Sequence, residues 1–151
     1  MTLLEAEVVK AVRAPVPPAF VRRVLVRSVG VPELAARLGD RPRTVAVRIT
    51  GDEEMERLNR TFAGEAHATD VLSFGGEKEH LGDIAISWPA VERQAAQFGQ
   101  AKEIELALLG VHGLLHLLGW DHAKASERKE MNRLTVAALE RSHIELASGR
   151  L

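Results

Sequence analysis

Three histidines, His112, His116 and His122, have the residue type and spacing that could do chemistry. Residues four apart lie one turn above each other on the same face of a helix, so His112 and His116 can point at one metal ion. Gly119 follows three residues later, where a glycine can adopt the left-handed conformation that ends a helix. The chain can then turn back and bring His122 round as a third ligand. Three imidazoles with one coordination position left open are typical of a catalytic divalent metal, most often zinc.

The same spacing of histidines and glycine occurs in the metzincin metalloproteases, but one residue argues against proteolysis. In those enzymes a glutamate follows the first histidine and acts as the general base. Gly113 occupies that position here, so the base of a protease is missing. Hydrolysis with a metal stays open if the substrate supplies the proton acceptor, as a phosphodiester can. The other histidines are interpreted as hydrogen-bonded core residues or as surface residues: His67, His80 and His143.

The composition fits one globular domain of 151 residues, with 46% hydrophobic and 27% charged residues. There is no cysteine, so only His, Asp and Glu remain as side-chain metal ligands. No apolar run approaches the roughly 20 residues of a transmembrane helix, and the first residues carry acids where a signal peptide carries Lys or Arg. These features predict a soluble, cytoplasmic protein.

The net charge of -1 conceals an asymmetry along the chain. Residues 1–49 carry nine Lys or Arg and four acidic residues, a net charge of +5, which leaves -6 for the remainder. Arginine is the side chain that binds phosphate in a forked geometry, so this region could receive a polyanion. Solvated helix faces would give the same composition, and charge alone does not separate the two interpretations.

Helix and strand patterns alternate along the chain. Strands are predicted over residues 3–12, 45–49, 69–74 and 83–87, the last two as a hairpin. Helices are predicted from Pro18 to Gly30, over 32–38, from a capping box at Thr50 and Glu53 to Phe62, from Pro89 to Gly99, over 101–118 and over 126–146. In the third of these helices Met55, Leu58 and Phe62 fall on one apolar face.

The segment 101–118 is apolar on nearly all sides, which predicts a central, buried helix. Histidines on such a helix are unfavourable unless something satisfies their ring nitrogens, and a metal would do so. Met131 lies on the apolar stripe of the last helix, which favours core packing over the methionine turn of the metzincins.

Three separated motifs resemble the YbeY family, bacterial metal-dependent endoribonucleases implicated in ribosomal RNA maturation. The first is Leu-Asn-Arg at 58–60 followed by Thr-Asp-Val-Leu-Ser-Phe at 69–74, the second Leu-Gly-Asp-Ile at 81–84, and the third the histidine run 112–122. The resemblance covers roughly residues 44–140. It implies a single α+β domain over 1–151, with a small mixed four-stranded sheet, five or six flanking helices and a central buried helix that carries the metal ligands.

The resemblance also implies a function and partners. His112, His116 and His122 would bind zinc, with nickel as an alternative, to activate water against single-stranded RNA such as a ribosomal RNA precursor. Ribosomal proteins or an assembly GTPase are the implied partners. A 2'-hydroxyl nucleophile is an alternative route that would leave cyclic phosphate ends. A protease-like hydrolase, or a ribosome-assembly binding module with a structural metal, is the other class of hypothesis.

Roles for the remaining polar residues stay open. Asp121 could orient a ligand histidine or cap the last helix. Asp70 and Asp83 could face the cleft or a partner protein, or be ordinary polar residues at strand ends. The family commonly has an arginine, thought to hold phosphate, where this chain has Ala63. Arg60 lies on roughly the same helical face and could substitute, or could be an exposed helix residue with no such role.

Two prolines common in the family are also replaced, by Ala68 and Gly75. Both positions concern the rigidity of loops more than chemistry.

Overall fold

The computed structural model describes residues 3–63 and 69–151. It is an α+β domain in which helices cover a four-stranded sheet, as predicted. The predictions for His67 and Ala68 lie outside the described residues. None of the helices in the described part of the chain combines the length and apolarity needed to cross a membrane.

The sheet is mixed, with the strand order β1-β2-β4-β3. β1 pairs with β2 and β2 with β4 in parallel, whereas β3 and β4 form the predicted antiparallel hairpin. β3 is therefore an edge strand. The strands are β1 (Leu4–Lys10), β2 (Arg43–Thr50), β3 (Val71–Gly75) and β4 (His80–Ser87).

Six helices are present in the described ranges: α1 (Pro18–Ser28), α2 (Pro32–Leu38), α3 (Asp52–Ala63), α4 (Trp88–Phe98), α5 (Lys102–Leu117) and α6 (Ala125–Glu140). The predicted ends of α4 are confirmed: the Ser87 hydroxyl accepts a hydrogen bond from the Ala90 N–H at 3.1 Å, and Gly99 has a left-handed backbone. These caps satisfy helix ends that would otherwise lack partners.

α5 is the central helix that its apolar sequence predicts. It packs against α1, α4, α6 and the β3–β4 hairpin, and its side chains from Leu106 to Leu109 are almost fully buried. Gly113 permits this close approach, because a Cβ there would lie 2.6 Å from Cγ2 of Ile84 on β4. Met131 of α6 is also buried, as predicted.

Three details of the predicted helices are wrong. Thr50 is the last residue of β2 and α3 begins at Asp52, so Thr50 does not cap that helix. Phe62, expected on the packed face of α3, is 66% exposed and contacts the ring of Phe74. α6 ends at Glu140 instead of residue 146, because the chain reverses at His143, whose φ is 58°.

Candidate active-site cleft

The three histidines line one cleft of about 710 Å³. His112 and His116 stand one turn apart on α5, and His122 follows the helix end. The opposite wall is the edge strand β3 with the residues before it, from Thr69 to Ser73. The Ser73 hydroxyl donates a 3.0 Å hydrogen bond to the Gly113 carbonyl, which ties the two walls together. The structure thus brings together the three residues that the sequence singled out.

The turn after α5 places His122 beside the helix. The Gly119 N–H donates to the His116 carbonyl and the Trp120 N–H to the Leu115 carbonyl, both at 3.0 Å. This pair of bonds is a Schellman motif, in which the first residue past the C-cap has positive φ. Gly119 occupies that position. Gly119 has a φ of 100°, so the predicted glycine turn is confirmed.

Arg37 of α2 supports this turn from behind. Its guanidinium lies 3.7 Å from the centre of the Trp120 ring and donates a 3.3 Å hydrogen bond to the Leu118 carbonyl. A cation is favourable at a helix C-terminus and over an aromatic face. Sequence reasoning missed this role, since Arg37 was only one of nine basic residues in the N-terminal region.

The cleft favours the neutral form of His112 and His116. Burial lowers the pKa of His112 to about 4, and the charges of Arg150, His116 and His122 act in the same direction. Burial and the neighbouring His122 also lower the pKa of His116, whereas Asp121 and the Trp120 backbone oppose that shift. A neutral imidazole has the free lone pair that a metal ligand needs.

The Nε2 atom of His112 is buried without a hydrogen-bond partner among the described residues. Buried polar atoms normally have a partner, so such an atom needs a physical explanation. Only three other side-chain atoms in the described ranges share this condition: Arg43 Nε, Trp120 Nε1 and Ser142 Oγ.

The donor set fits a metal in chemistry and only partly in geometry. The rings of His116 and His122 have centroids 5.1 Å apart. Two imidazoles that share a tetrahedral zinc would have centroids about 5 Å apart, given Zn–N bonds of about 2 Å. Within residues 3–63 and 69–151, however, no three His, Cys, Asp or Glu side chains are already arranged to hold a metal ion. At least one of the three imidazoles would have to turn to complete the set. His122 is the exposed one of the three.

The carboxylates near the histidines take different roles. Asp70 lines the cleft, where its carboxylate accepts hydrogen bonds from the Val71 N–H at 2.8 Å and from Gln94 at 3.1 Å. Asp121 accepts a 2.7 Å hydrogen bond from the N–H of the adjacent His122. It does not cap α6, whose N-cap residue is Lys124.

Asp83 does not line this cleft. Its side chain is exposed and contacts Nε2 of His80 at 3.1 Å, while Nδ1 of His80 is 2.8 Å from the Thr44 hydroxyl. His80 is thus hydrogen-bonded, and His143 is exposed, in agreement with the sequence interpretation of both.

Arg60 projects from α3 and forms an ion pair with Glu56 at 2.8 Å, and it is not among the residues that line the cleft. Ala63 is the last residue of α3. Among the residues that the structure describes, the side chains that line the histidine cleft include no arginine or lysine.

A buried network behind the cleft was not foreseen from the sequence. Arg150, the penultimate residue, forms an ion pair with the fully buried Glu105 at 2.7 Å and donates to Gln94 at 3.4 Å. Gln94 in turn donates to Asp70 at the cleft wall. The C-terminal segment therefore supports one side of the cleft through Gln94, which lies 56 residues from Arg150 along the chain.

The fold and the cleft together define a class of protein: a small α+β domain with three histidines in a cleft that an edge strand closes on the opposite side. The family model described as Endoribonuclease YbeY matches residues 20–143. The chain belongs to this family of endoribonucleases.

Individual relatives carry the same description. A Roseiflexus castenholzii protein named Endoribonuclease YbeY is 39% identical over 133 residues, which cover 81% of this chain and 80% of the relative. One from Gloeobacter violaceus is 49% identical over 89 residues, which cover 52% and 46%. A solution structure of a Thermotoga maritima protein matches 91% of both chains with a TM-score of 0.59 at 21% identity, a likeness of fold.

Proposed function

We propose that the protein is a metal-dependent endoribonuclease that cleaves single-stranded RNA in ribosomal RNA maturation, with zinc bound by His112, His116 and His122. One observation carries the proposal: three imidazoles face one cleft, and the buried Nε2 of His112 has no partner among the described residues. Membership of the endoribonuclease family supports the choice of RNA as the substrate. Nickel could occupy the same three-nitrogen site.

A zinc ion in such a site supplies a water of lowered pKa and polarises a phosphoryl oxygen. His112 and His116 contribute by staying neutral, since burial lowers the pKa of each and leaves its lone pair free near neutral pH. Asp121 restrains the backbone of His122, and Asp70, held by Gln94, presents an acceptor oxygen at the opposite wall. The phosphodiester itself would accept the proton, in place of the glutamate that is missing at Gly113.

The two alternatives are less well supported. Position 113, where a metzincin has its general base, faces Ile84 of the sheet at a distance that leaves no room for a glutamate. A closed structural site needs four protein ligands, whereas three histidines line the cleft. The proposal also includes a cytoplasmic location. It further includes ribosomal proteins or an assembly GTPase as partners.

The test compares wild type with His112→Ala, using the exposed His143→Ala as a matched control. Metal content is measured, and the proteins are incubated with labelled single-stranded RNA, double-stranded RNA and casein. We expect about one zinc per chain in wild type and in His143→Ala. His112→Ala should bind no metal, and its rate of cleavage of single-stranded RNA should fall by more than roughly 100-fold. The reason is that removing a metal ligand should lower activity more than removing the hydrogen-bond partner of a ligand.

Each other result points elsewhere. Cleavage of RNA that is unchanged by His112→Ala would overturn the proposal. Zinc binding without cleavage of either polymer would favour the structural metal, and cleavage of casein would favour the protease. The product ends separate the two routes, because attack by the 2'-hydroxyl leaves cyclic phosphates and attack by water leaves monoesters.

A further inference from the structure

A second cavity, rich in cations, lies beside the histidine cleft. This basic pocket has a volume of about 510 Å³ and lies between the loop after α2 and the tip of the β3–β4 hairpin. Four cations and two carboxylates line it: Arg37, Arg41, Arg43, Lys78, Asp40 and Glu79. The structure has thus gathered three basic residues of the N-terminal region, whose charge the sequence alone left unexplained, around one cavity.

The cations of the basic pocket are not neutralised by ion pairs within the part of the chain that the structure describes. Arg43 donates from Nη1 to the Leu38 carbonyl at 3.2 Å, and its Nε atom is buried without a partner. An orphaned guanidinium N–H is a donor without an acceptor, which an anion would supply.

Lys78 stands at the rim of the pocket in an unusual backbone conformation. Its φ is 55°, a left-handed value that non-glycine residues rarely adopt and that is enriched at binding sites. The hairpin turn fixes it there, because the His80 N–H donates to the Glu77 carbonyl at 3.0 Å. The turn therefore holds a lysine in place where a glycine would be less strained.

Two structural elements join the basic pocket to the histidine cleft. Along the hairpin, Gly75 lines the cleft and Lys78 the pocket, no more than about 11 Å of extended chain apart. At the end of α5, Leu117 lines the cleft, while the next carbonyl, that of Leu118, accepts the hydrogen bond from Arg37. A polymer that leaves the cleft along the hairpin reaches the pocket.

We infer that the basic pocket binds a backbone phosphate of the RNA strand whose scissile bond lies in the histidine cleft. Forked guanidinium donors and an ammonium suit a phosphate better than any other group of RNA. The pocket thereby supplies a cationic contact, which the described lining of the cleft does not contain. The inference rests on the proposed function for its substrate, and it assigns the phosphate contact to residues outside the cleft.

The test removes two cations that are exposed and that make no side-chain hydrogen bond to the described residues: Arg41→Gln with Lys78→Gln. Arg23→Gln with Lys129→Gln is the matched control, since these residues are also exposed and the charge change is the same. Binding of a fluorescein-labelled single-stranded RNA of ten nucleotides is measured by anisotropy, in chelator, from low to high salt. Chelator prevents cleavage, so the binding result does not depend on the metal chemistry.

We expect the dissociation constant of the pocket variant to rise about 10-fold, and that of the control by less than about 2-fold. The slope of log K against log salt should become shallower by about 0.7 for each phosphate that the variant no longer neutralises. In cleavage assays with metal, KM should rise while kcat stays within about 2-fold, because the pocket holds its phosphate equally in the ground and transition states.

Equal RNA binding by the pocket variant and the control would overturn the inference. A free-anion site would also overturn it: inorganic phosphate would then protect wild type, but not the pocket variant, against thermal unfolding, while both bind RNA equally. Failure of the proposed function looks different, because wild type would bind RNA through the pocket and leave it uncut in the presence of zinc.

Discussion

Two polar groups on α5 are shielded from solvent, the carboxylate of Glu105 and the Nε2 atom of His112, and their surroundings differ. Glu105, near the start of the helix, is fully buried, and its carboxylate accepts hydrogen bonds from Arg150 and Gln100. His112, two turns further on, has a buried Nε2 with no partner among the described residues. The fold can therefore satisfy a polar group on this helix. The unpaired nitrogen in the cleft is consistent with the ligand role that we propose for His112.

The largest loss of stability should come from removing the cation that pairs with Glu105. Arg150→Met leaves the buried Glu105 carboxylate without its cation, which typically lowers the free energy of unfolding by roughly 3–5 kcal/mol. Urea denaturation measures the change. Arg133→Met is the control: its ion pair with Glu33 is exposed on both sides, so the loss should stay below about 1 kcal/mol. Similar losses in the two variants would mean that Glu105 is satisfied without Arg150.

A smaller loss of stability should follow from protonation of His112 at low pH. In metal-free protein the His112 pKa is about 4, against an ordinary 6.5, so the unfolded chain binds the proton more readily. The contribution of His112 to the free energy of unfolding should be fully present above pH 6.5 and should fall as the pH drops towards 4. Below pH 4 it should level off, after a total loss of up to about 3 kcal/mol. Denaturant midpoints in chelator check this. A pH dependence equally steep in His112→Leu would exclude His112 as its source.

Gly113→Ala tests the close packing of α5 against Ile84 of β4, at a position between Glu105 and the C-terminal end of the helix. The new methyl would lie 2.6 Å from Ile84, and overpacking of this kind lowers the free energy of unfolding by about 2 kcal/mol. Gly110→Ala on the same buried helix is the control, because its Cβ would meet only Leu25 at an ordinary 3.6 Å. Helix propensity should make that variant neutral or up to about 1 kcal/mol more stable. The prediction fails if both variants unfold at the same denaturant concentration.

The smallest effect should be that of His112→Leu in chelator. Replacing an unpaired polar group by an apolar one of similar size is nearly neutral, so its stability should lie within about 1 kcal/mol of wild type. Zinc at 100 times its dissociation constant should stabilise wild type by about 2.7 kcal/mol and the variant hardly at all. Thermal unfolding with and without zinc measures both quantities. A large loss in chelator would show that His112 already has a structural partner.

The elements that build the cleft could be predicted where their causes are local. The apolar run of α5 predicted its burial, and the short polar segment before His80 predicted the hairpin. Gly119 predicted the turn to His122, because a single residue type satisfies its backbone geometry. The three candidate ligands were therefore available from the sequence before any contact was known.

Contacts between distant residues could not be predicted in this way. Arg37 reaches Leu118 across 81 residues, and Arg150 reaches Glu105 across 45. No periodicity or spacing links such pairs. The end of α6 was misplaced for a different reason: His143, a residue without glycine's freedom, adopts positive φ because the following segment packs back toward the helices.

His122 belongs to neither helix but to residues 118–124, which connect α5 and α6. In the proposed metal site, two ligands keep a fixed separation on a rigid helix, whereas the third lies on a short connecting segment, which acts as a tether. The tethered imidazole would be the last to bind and the first to leave. The residence time of the ion would then depend on how firmly Arg37 and the Gly119 turn hold that tether, and the protein could exchange its metal without unfolding.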